Sequence, residues 1–433
     1  MANPRYSDDN VAILRDPSFT DYNFLVEHVY IKVSDIQDHG KVVDAEFTIE
    51  YPLGTPFYSN IRINLYNRNE RKSLVVDLAQ KYTDITLDWD VMLDYVIADI
   101  IRTLRQPPDV INIDDEPDNE AVTYTLKHIL LKNQPNSIFC PGGMGKTTIA
   151  DLCCVLLTHN IASAAGLLPG TGEPINCLYM DYESDPETHR RYISAIEEGL
   201  HLEEHRAIPY ISCTKPFYQY VEHIRELVER YHIELLVIDS QMAATAGYPS
   251  NMSEAQIASE YYNNLRDIGI TSLSLDHSTK QDMLNGGNNT TPYGSIVKYN
   301  RVRSLFELKM DDSFADSDHK EYALIHRKHN LTRKLPPMGI SVDYVNKGDI
   351  LESITFDKCN IADNQTLSKT TLTRKQRLIN ALKMLGKANI KQLADYIEEP
   401  DNERIIGITL SKEKRTFVRI SEGVYGLLTN PAN

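Results

Sequence analysis

The pattern of apolar and polar positions changes character twice along the chain. The first part offers short runs rich in β-branched and aromatic residues at Val26–Val33, Lys41–Ile49, Ile61–Tyr66 and Leu74–Asp77. Turn residues such as Asp38-His39-Gly40 separate them, and they predict strands. Over Asp90–Arg105 the positions Val91, Leu93, Tyr95, Val96, Ile97, Ile100, Ile101 and Leu104 recur at helical spacing. Pro107-Pro108 stops that helix, and the acidic stretch Asp114–Glu120 reads as a linker. From about residue 121 compact apolar runs take over: Ser137–Cys140, Cys177–Tyr182, Leu235–Asp239 and Thr271–Leu275. Between them lie the helix-length stretches Thr147–His159, Pro186–Leu200, Tyr218–Tyr231 and Ser253–Ile268. Such alternation predicts an α/β fold around a doubly wound parallel sheet.

The last 60 residues form a third pattern. Thr373–Leu385, Ile390–Glu398 and Asp401–Leu410 predict three short helices, and Thr416–Ile420 and Val424–Leu427 flank the turn Ser421-Glu422-Gly423. That order is the order of a winged helix-turn-helix. The domains expected are therefore an acidic α+β domain over 1–118, a nucleotide-binding core over 119–350, a linker over 351–370 and a winged helix-turn-helix over 371–433.

Composition narrows the class. With 433 residues, 42% apolar and 24% charged, the chain is globular and long enough for two to four domains. No apolar run approaches a membrane span, and Met1–Asn10 lack the plan of a signal peptide. The six cysteines show no metal-ligand spacing, and Cys153-Cys154 sit adjacent in an apolar helical run. A secreted disulfide scaffold and a membrane protein are excluded, and a cytoplasmic location is expected. The net charge is −16, unevenly spread. Residues 1–118 hold 11 basic against 22 acidic side chains, whereas 369–433 hold 12 against 7. Nucleic acid is thus expected at the C-terminal segment or in a local groove of the core. The N-terminal domain carries no readable chemistry: an oligomerisation module and a structural appendage both fit it.

One motif dominates the core. Cys140-Pro141-Gly142-Gly143-Met144-Gly145-Lys146-Thr147-Thr148 follows a predicted strand and opens a predicted helix. This is the context of a phosphate-binding loop, in which glycines turn backbone amides inward, a lysine neutralises phosphate and a hydroxyl ligates Mg²⁺. The usual leading glycine is Cys140, a small residue at a packing position. Leu235-Leu236-Val237-Ile238-Asp239 is an apolar strand ending in a carboxylate suited to the water shell of Mg²⁺. Cys177-Leu178-Tyr179-Met180-Asp181-Tyr182-Glu183-Ser184-Asp185 supplies further acids at a strand end. Glu183 is a candidate general base for the attacking water; capping of the next helix by Glu183 or Asp185 is the alternative.

Taken together, these segments resemble the RecA-fold ATPases, in particular the branch with plasmid and phage hexameric replicative helicases. The resemblance covers about 120–345. It implies a catalytic role for Glu183, a metal role for Thr147 and Asp239, and a polar sensor at His277 in Ser274-Leu275-Asp276-His277-Ser278-Thr279-Lys280. It also implies that Gln281–Thr291 faces DNA in the ring axis, although an idle surface loop fits that stretch equally. Lys298, Arg301 and Arg303 are expected near a DNA channel or subunit boundary, and His326-Arg327-Lys328-His329-Asn330 near a neighbour's nucleotide. Among Arg301, Arg303, Arg327 and Lys328 the sequence does not choose a residue acting in trans. In the winged helix, Asn402, Arg404, Lys412, Lys414 and Arg415 are the DNA-facing candidates.

The function expected is a DNA-dependent ATPase using ATP and Mg²⁺, a hexameric helicase or replication-initiation motor. It would hold single-stranded DNA in its channel and duplex DNA at the winged helix. A recombinase-like filament and an ATP-switched DNA-binding regulator are the rivals. A partition-type ATPase fits poorly, because its signature lysine would fall at Pro141.

Overall fold

The computed structural model describes residues 6, 10–16, 19–38, 42–51, 56–81, 87–106, 112–113, 121–278, 292, 296–311, 317–331 and 333–428. The chain divides into two compact units: residues 1–120 with Val221–Arg230, and residues 121–220 with 231–433. Among the described residues no helix is long and apolar enough to cross a membrane.

In the first unit five antiparallel strands pair in chain order: Val11–Arg15, Phe19–Phe24, Val29–Asp38, Val43–Glu50 and Pro56–Asn64. Strict alternation buries Val29, Ile31 and Val33 on one strand, and Val43, Ala45, Phe47 and Ile49 on the next. These share a core with the helices Arg68–Lys81 and Trp89–Leu104. Asp99 on the second helix is buried there, accepting from Arg15 Nη2 (2.6 Å) and the Tyr22 hydroxyl (2.9 Å). Leu74–Asp77, expected as a strand, lies inside the first helix, because Leu74 and Leu78 share its buried face four residues apart. The helix Val221–Tyr231 was expected as a layer on the core sheet, but Val221–Arg230 group with the first unit instead. The stretch Asp114–Glu120, read as a linker, lies outside the described residues.

The second unit is built on a nine-stranded sheet. In chain order its elements are β1 (Pro135–Cys140), α1 (Lys146–His159), β2 (Asn176–Asp181), α2 (Pro186–Gly199), β3 (Tyr210–Ser212), β4 (Ile233–Asp239), α3 (Glu254–Ile268), β5 (Thr271–His277), α4 (Ile296–Arg301), β6 (Ser304–Met310), β7 (His319–His329), β8 (Met338–Lys347) and β9 (Ile350–Cys359). Across the sheet the order is β3-β2-β4-β5-β1-β6-β7-β8-β9, parallel as far as β6 and antiparallel from there. Registers Asp239↔Asp181 and His277↔Cys140 bring the carboxyl ends of the parallel strands to one edge, beside the loop after β1.

The expected linker 351–370 is not one. It contains most of β9 and a helix, α5 (Gln365–Thr371). Ile354 and Phe356 alternate inward and join the main core, while Leu367 packs with Ala323, Ile325 and Ile361. Glu352, Asp357 and Lys358 on this half-buried strand give it a linker's composition. Helix α2 runs against β9 so closely that a Cβ on Gly199 would collide with the backbone carbonyl of Ile354.

The C-terminal segment holds α6 (Arg374–Leu385), β10 (Lys387–Asn389), α7 (Ile390–Tyr396), α8 (Glu403–Lys412), β11 (Phe417–Ser421) and β12 (Val424–Leu427). The strands pair in the order β10-β12-β11. Leu378, Leu382, Leu393, Ile406, Leu410 and Phe417 form its small core.

Candidate active site

The loop after β1 runs into α1, a helix buried along nearly its whole length. Gly145 caps that helix with φ +79°, a left-handed conformation that favours glycine. A Cβ there would also lie 2.6 Å from the Tyr322 hydroxyl, so the position excludes side chains twice over. Gly143 likewise has φ +76°, while Met144 packs against the core. Cys140 ends β1 fully buried, and burial pushes its thiol up to about 12, which makes it a packing residue rather than a nucleophile. Thr148 is buried and hydrogen-bonded to Tyr344.

Lys146 opens α1 with its ammonium folded back into the loop, 3.3 Å from the carbonyl oxygens of both Cys140 and Pro141. His277 Nδ1 lies 3.5 Å from the same ammonium. Because Lys146 can only donate, Nδ1 must accept, which leaves the His277 proton on Nε2. That nitrogen donates to Glu183 Oε1 at 3.2 Å. Glu183 also accepts from the Ser240 hydroxyl. The His277 hydrogen bond is the largest influence holding Glu183 below its ordinary value, so it is a carboxylate at neutral pH.

The Thr147 hydroxyl donates to Asp239 Oδ2 at 2.7 Å, and the Tyr179 hydroxyl donates to the same oxygen at 3.2 Å. Burial raises the carboxyl of Asp239 above its ordinary value. A threonine hydroxyl beside a carboxylate is a hard-oxygen donor pair of the kind Mg²⁺ takes.

The other acids near Glu183 have separate work. Asp185 caps α2, accepting from Thr188 N and Oγ1, each at 2.9 Å. Asp181 accepts from the backbone N–H groups of Glu183 (2.8 Å) and Ser184 (3.1 Å), fixing the turn between β2 and α2. Ser240 and Tyr179 therefore join a site in which sequence reasoning had named the phosphate loop, the strand-end acids and His277.

The basic candidates are more scattered. Lys298 is buried and donates to Asp276 Oδ2 at 2.9 Å, because a buried strand-end acid needs a partner. Arg327 pairs with buried Glu307, its Nε 2.6 Å from Oε2. Lys328 closes the C-terminal end of α4, donating to the carbonyls of Tyr299 (2.6 Å), Asn300 (2.9 Å) and Val302 (2.8 Å). Burial, with Arg303 and Arg266 nearby, pushes Lys328 down to about 8. Arg301 donates to Asn263 Oδ1 at 3.2 Å. Arg303 differs from these: its Nε is buried with no hydrogen-bond partner among the described residues. Ser304 pairs with Asn136, which puts Arg303 at the amino edge of the sheet. A strand the length of β1 separates it from its own phosphate loop, roughly 20 Å. Tyr293–Ser295 and Gln281–Thr291 lie outside the described residues.

A sequence family described as an AAA domain matches residues 102–283, a span that includes the phosphate loop, Glu183, Asp239 and His277. The middle of the chain is thus similar to an AAA-type P-loop ATPase domain. That match covers less than half of the chain, and it points to nucleotide hydrolysis without extending to the C-terminal segment. No curated protein matches. Among solved structures, a KaiC-like protein of the hyperthermophilic archaeon Pyrococcus horikoshii is similar at 14% identity, with 55% of this chain and 97% of that chain covered and a TM-score of 0.36. An ATPase of that family would use ATP, typically with Mg²⁺.

Proposed function

We propose that this protein is a DNA-dependent ATPase that works as a ring of identical subunits, a hexamer, in replicative unwinding or initiation. The observation that carries the catalytic half is the convergence of Lys146, Thr147, Asp239, Glu183 and His277 on one sheet edge. Glu183, ionised and fixed by Ser240 and His277, takes the proton of the water that attacks the γ-phosphate. Lys146 exchanges its contacts with the Cys140 and Pro141 carbonyls for phosphate oxygens. His277, touching both Lys146 and Glu183, responds to that exchange and serves as the sensor. Thr147 and Asp239 are the residues that would hold Mg²⁺, which would supply positive charge to offset that of the transferred phosphoryl group.

Arg303 is the favoured residue in trans, because it lies at the sheet edge away from its own loop. Arg327, tied to Glu307, ranks behind it. Mixing an Arg303→Ala chain with a Lys146→Ala chain should restore part of the ATPase activity, since some interfaces then combine an intact cradle with an intact arginine. No recovery in verified mixed oligomers removes Arg303 from this role.

The DNA half rests on the helix and strand order of α6 to β12, which is that of a winged helix-turn-helix, and on its excess of basic residues. Arg404, Lys412, Lys414 and Arg415 are exposed there, while Asn402 is turned toward Glu399. The intact protein should separate a forked duplex with ATP. A chain ending at Leu372, which keeps α5 packed on β7, should retain ATPase activity but bind duplex more weakly. Loss of affinity with salt should follow a slope of about 0.9 per phosphate contacted in the full chain, and a shallower one in the shortened chain. ATP turnover without strand separation under any polarity of fork points instead to the nucleotide-switched regulator.

A further inference from the structure

His189 lies on α2, only 3% exposed, between two carboxylates from different elements. Its Nδ1 is 2.9 Å from Asp151 Oδ1 on α1, and its Nε2 is 3.1 Å from Asp181 Oδ2 at the end of β2. A carboxylate offers no proton, so both ring nitrogens carry one and the ring is an imidazolium. The two carboxylates raise His189 to about 10 against the opposing effect of its burial. The ring also lies against Tyr179, with centroids 4.3 Å apart.

The two acids are not equivalent. Asp181 has a full set of partners: His189, the Tyr210 hydroxyl at 2.7 Å, and the backbone amides of Glu183 and Ser184. Asp151 is fully buried, and its Oδ2 has no hydrogen-bond partner among the described residues. Asp151 sits on α1 one turn beyond Thr147, in the first half of the helix whose N-terminus meets the phosphates. An unbroken path of polar contacts thus runs from the phosphate helix through His189 and Asp181 to the amide of Glu183.

We propose that His189 is a positioning residue for ATP hydrolysis: through Asp181 it sets the turn that presents Glu183, and through Asp151 it ties that turn to the phosphate helix. The inference rests on the reading of Glu183 as the general base. It adds a residue that touches neither nucleotide nor water. Glutamine at 189 cannot replace it, because one end of an amide accepts and would face a carboxylate.

The test is a double-mutant cycle in the full-length chain, with His189→Gln, Glu183→Gln and both together. Turnover of ATP is measured alongside affinity for a fluorescent ATP analogue. His189→Gln should lower kcat about 10–100-fold, the scale for groups that orient a reacting residue from behind. Analogue affinity should stay within about twofold. In the Glu183→Gln background the same substitution should cost little more, because the residue it positions is already disabled. An equal loss of kcat in both backgrounds overturns the proposal, as does a fall in affinity matching the fall in kcat. If His189→Gln does not fold, Asp151→Asn takes its place, since the amide keeps an oxygen for Nδ1–H. It should give a smaller kcat loss with the same non-additivity, and parental kcat in that variant overturns the link to the phosphate helix. Parental turnover in Glu183→Gln alone is a different failure: it removes the general-base assignment itself.

Discussion

Lys146→Ala should leave a folded chain that no longer binds ATP usefully. Lys146 is 6% exposed and its ammonium is the cation seated in the loop beside His277. Removing one partner of a buried charge pair costs roughly 2–5 kcal/mol, or about 30- to several-thousand-fold in affinity. Titration with a fluorescent ATP analogue should show that loss, and the thermal shift that ATP gives the parent should vanish. Lys146→Arg should rescue little, because a planar guanidinium fork does not fit where a point charge sits between two carbonyls. Affinity within a few-fold of the parent in Lys146→Ala sinks the assignment of the loop.

Glu183→Gln should separate binding from chemistry. The amide keeps the size of the side chain and an oxygen for Ser240 and His277, yet it cannot take a proton from water. Turnover should fall about 10²–10⁴-fold with analogue affinity close to the parent's. Among the described residues the neighbouring acids are engaged elsewhere: Asp185 is occupied as a helix cap and Asp181 by two backbone amides. Single-turnover quench measurements would register the block at the chemical step. Hydrolysis at the parent rate means that no side-chain base acts here.

The parts of this site that were legible in the sequence are those fixed by local pattern. A glycine-rich loop between strand and helix, and apolar runs ending in Asp239 and Asp181-Tyr182-Glu183, announce themselves because the backbone alone places them. What was not legible depends on partners far apart in the chain. Nothing near Lys298 signals Asp276, and nothing near Arg327 signals Glu307. Both cations were expected near DNA or a neighbouring subunit, and each is paired with an acid of its own chain. Asp151 did leave a trace, an acid among the apolar residues of α1, but His189 lies 38 residues away. The fold shows the same division. Half-buried β9 reads as a linker because its outer face is charged, and Leu74–Asp77 reads as a strand because four residues are too few to separate a period of two from one of 3.6.

The contact between Gly199 and the carbonyl of Ile354 has a mechanical consequence. Where side chains mediate packing, a rotamer change can absorb a small displacement. Here backbone meets backbone, and nothing yields. Helix α2 and the β8–β9 hairpin must then travel as a single lever. At one end of that lever β9 leads into α5 and the C-terminal segment; at the other, the helix begins three residues after Glu183. A bulkier residue at 199 would push helix and hairpin apart, and with them the packing that joins these two ends.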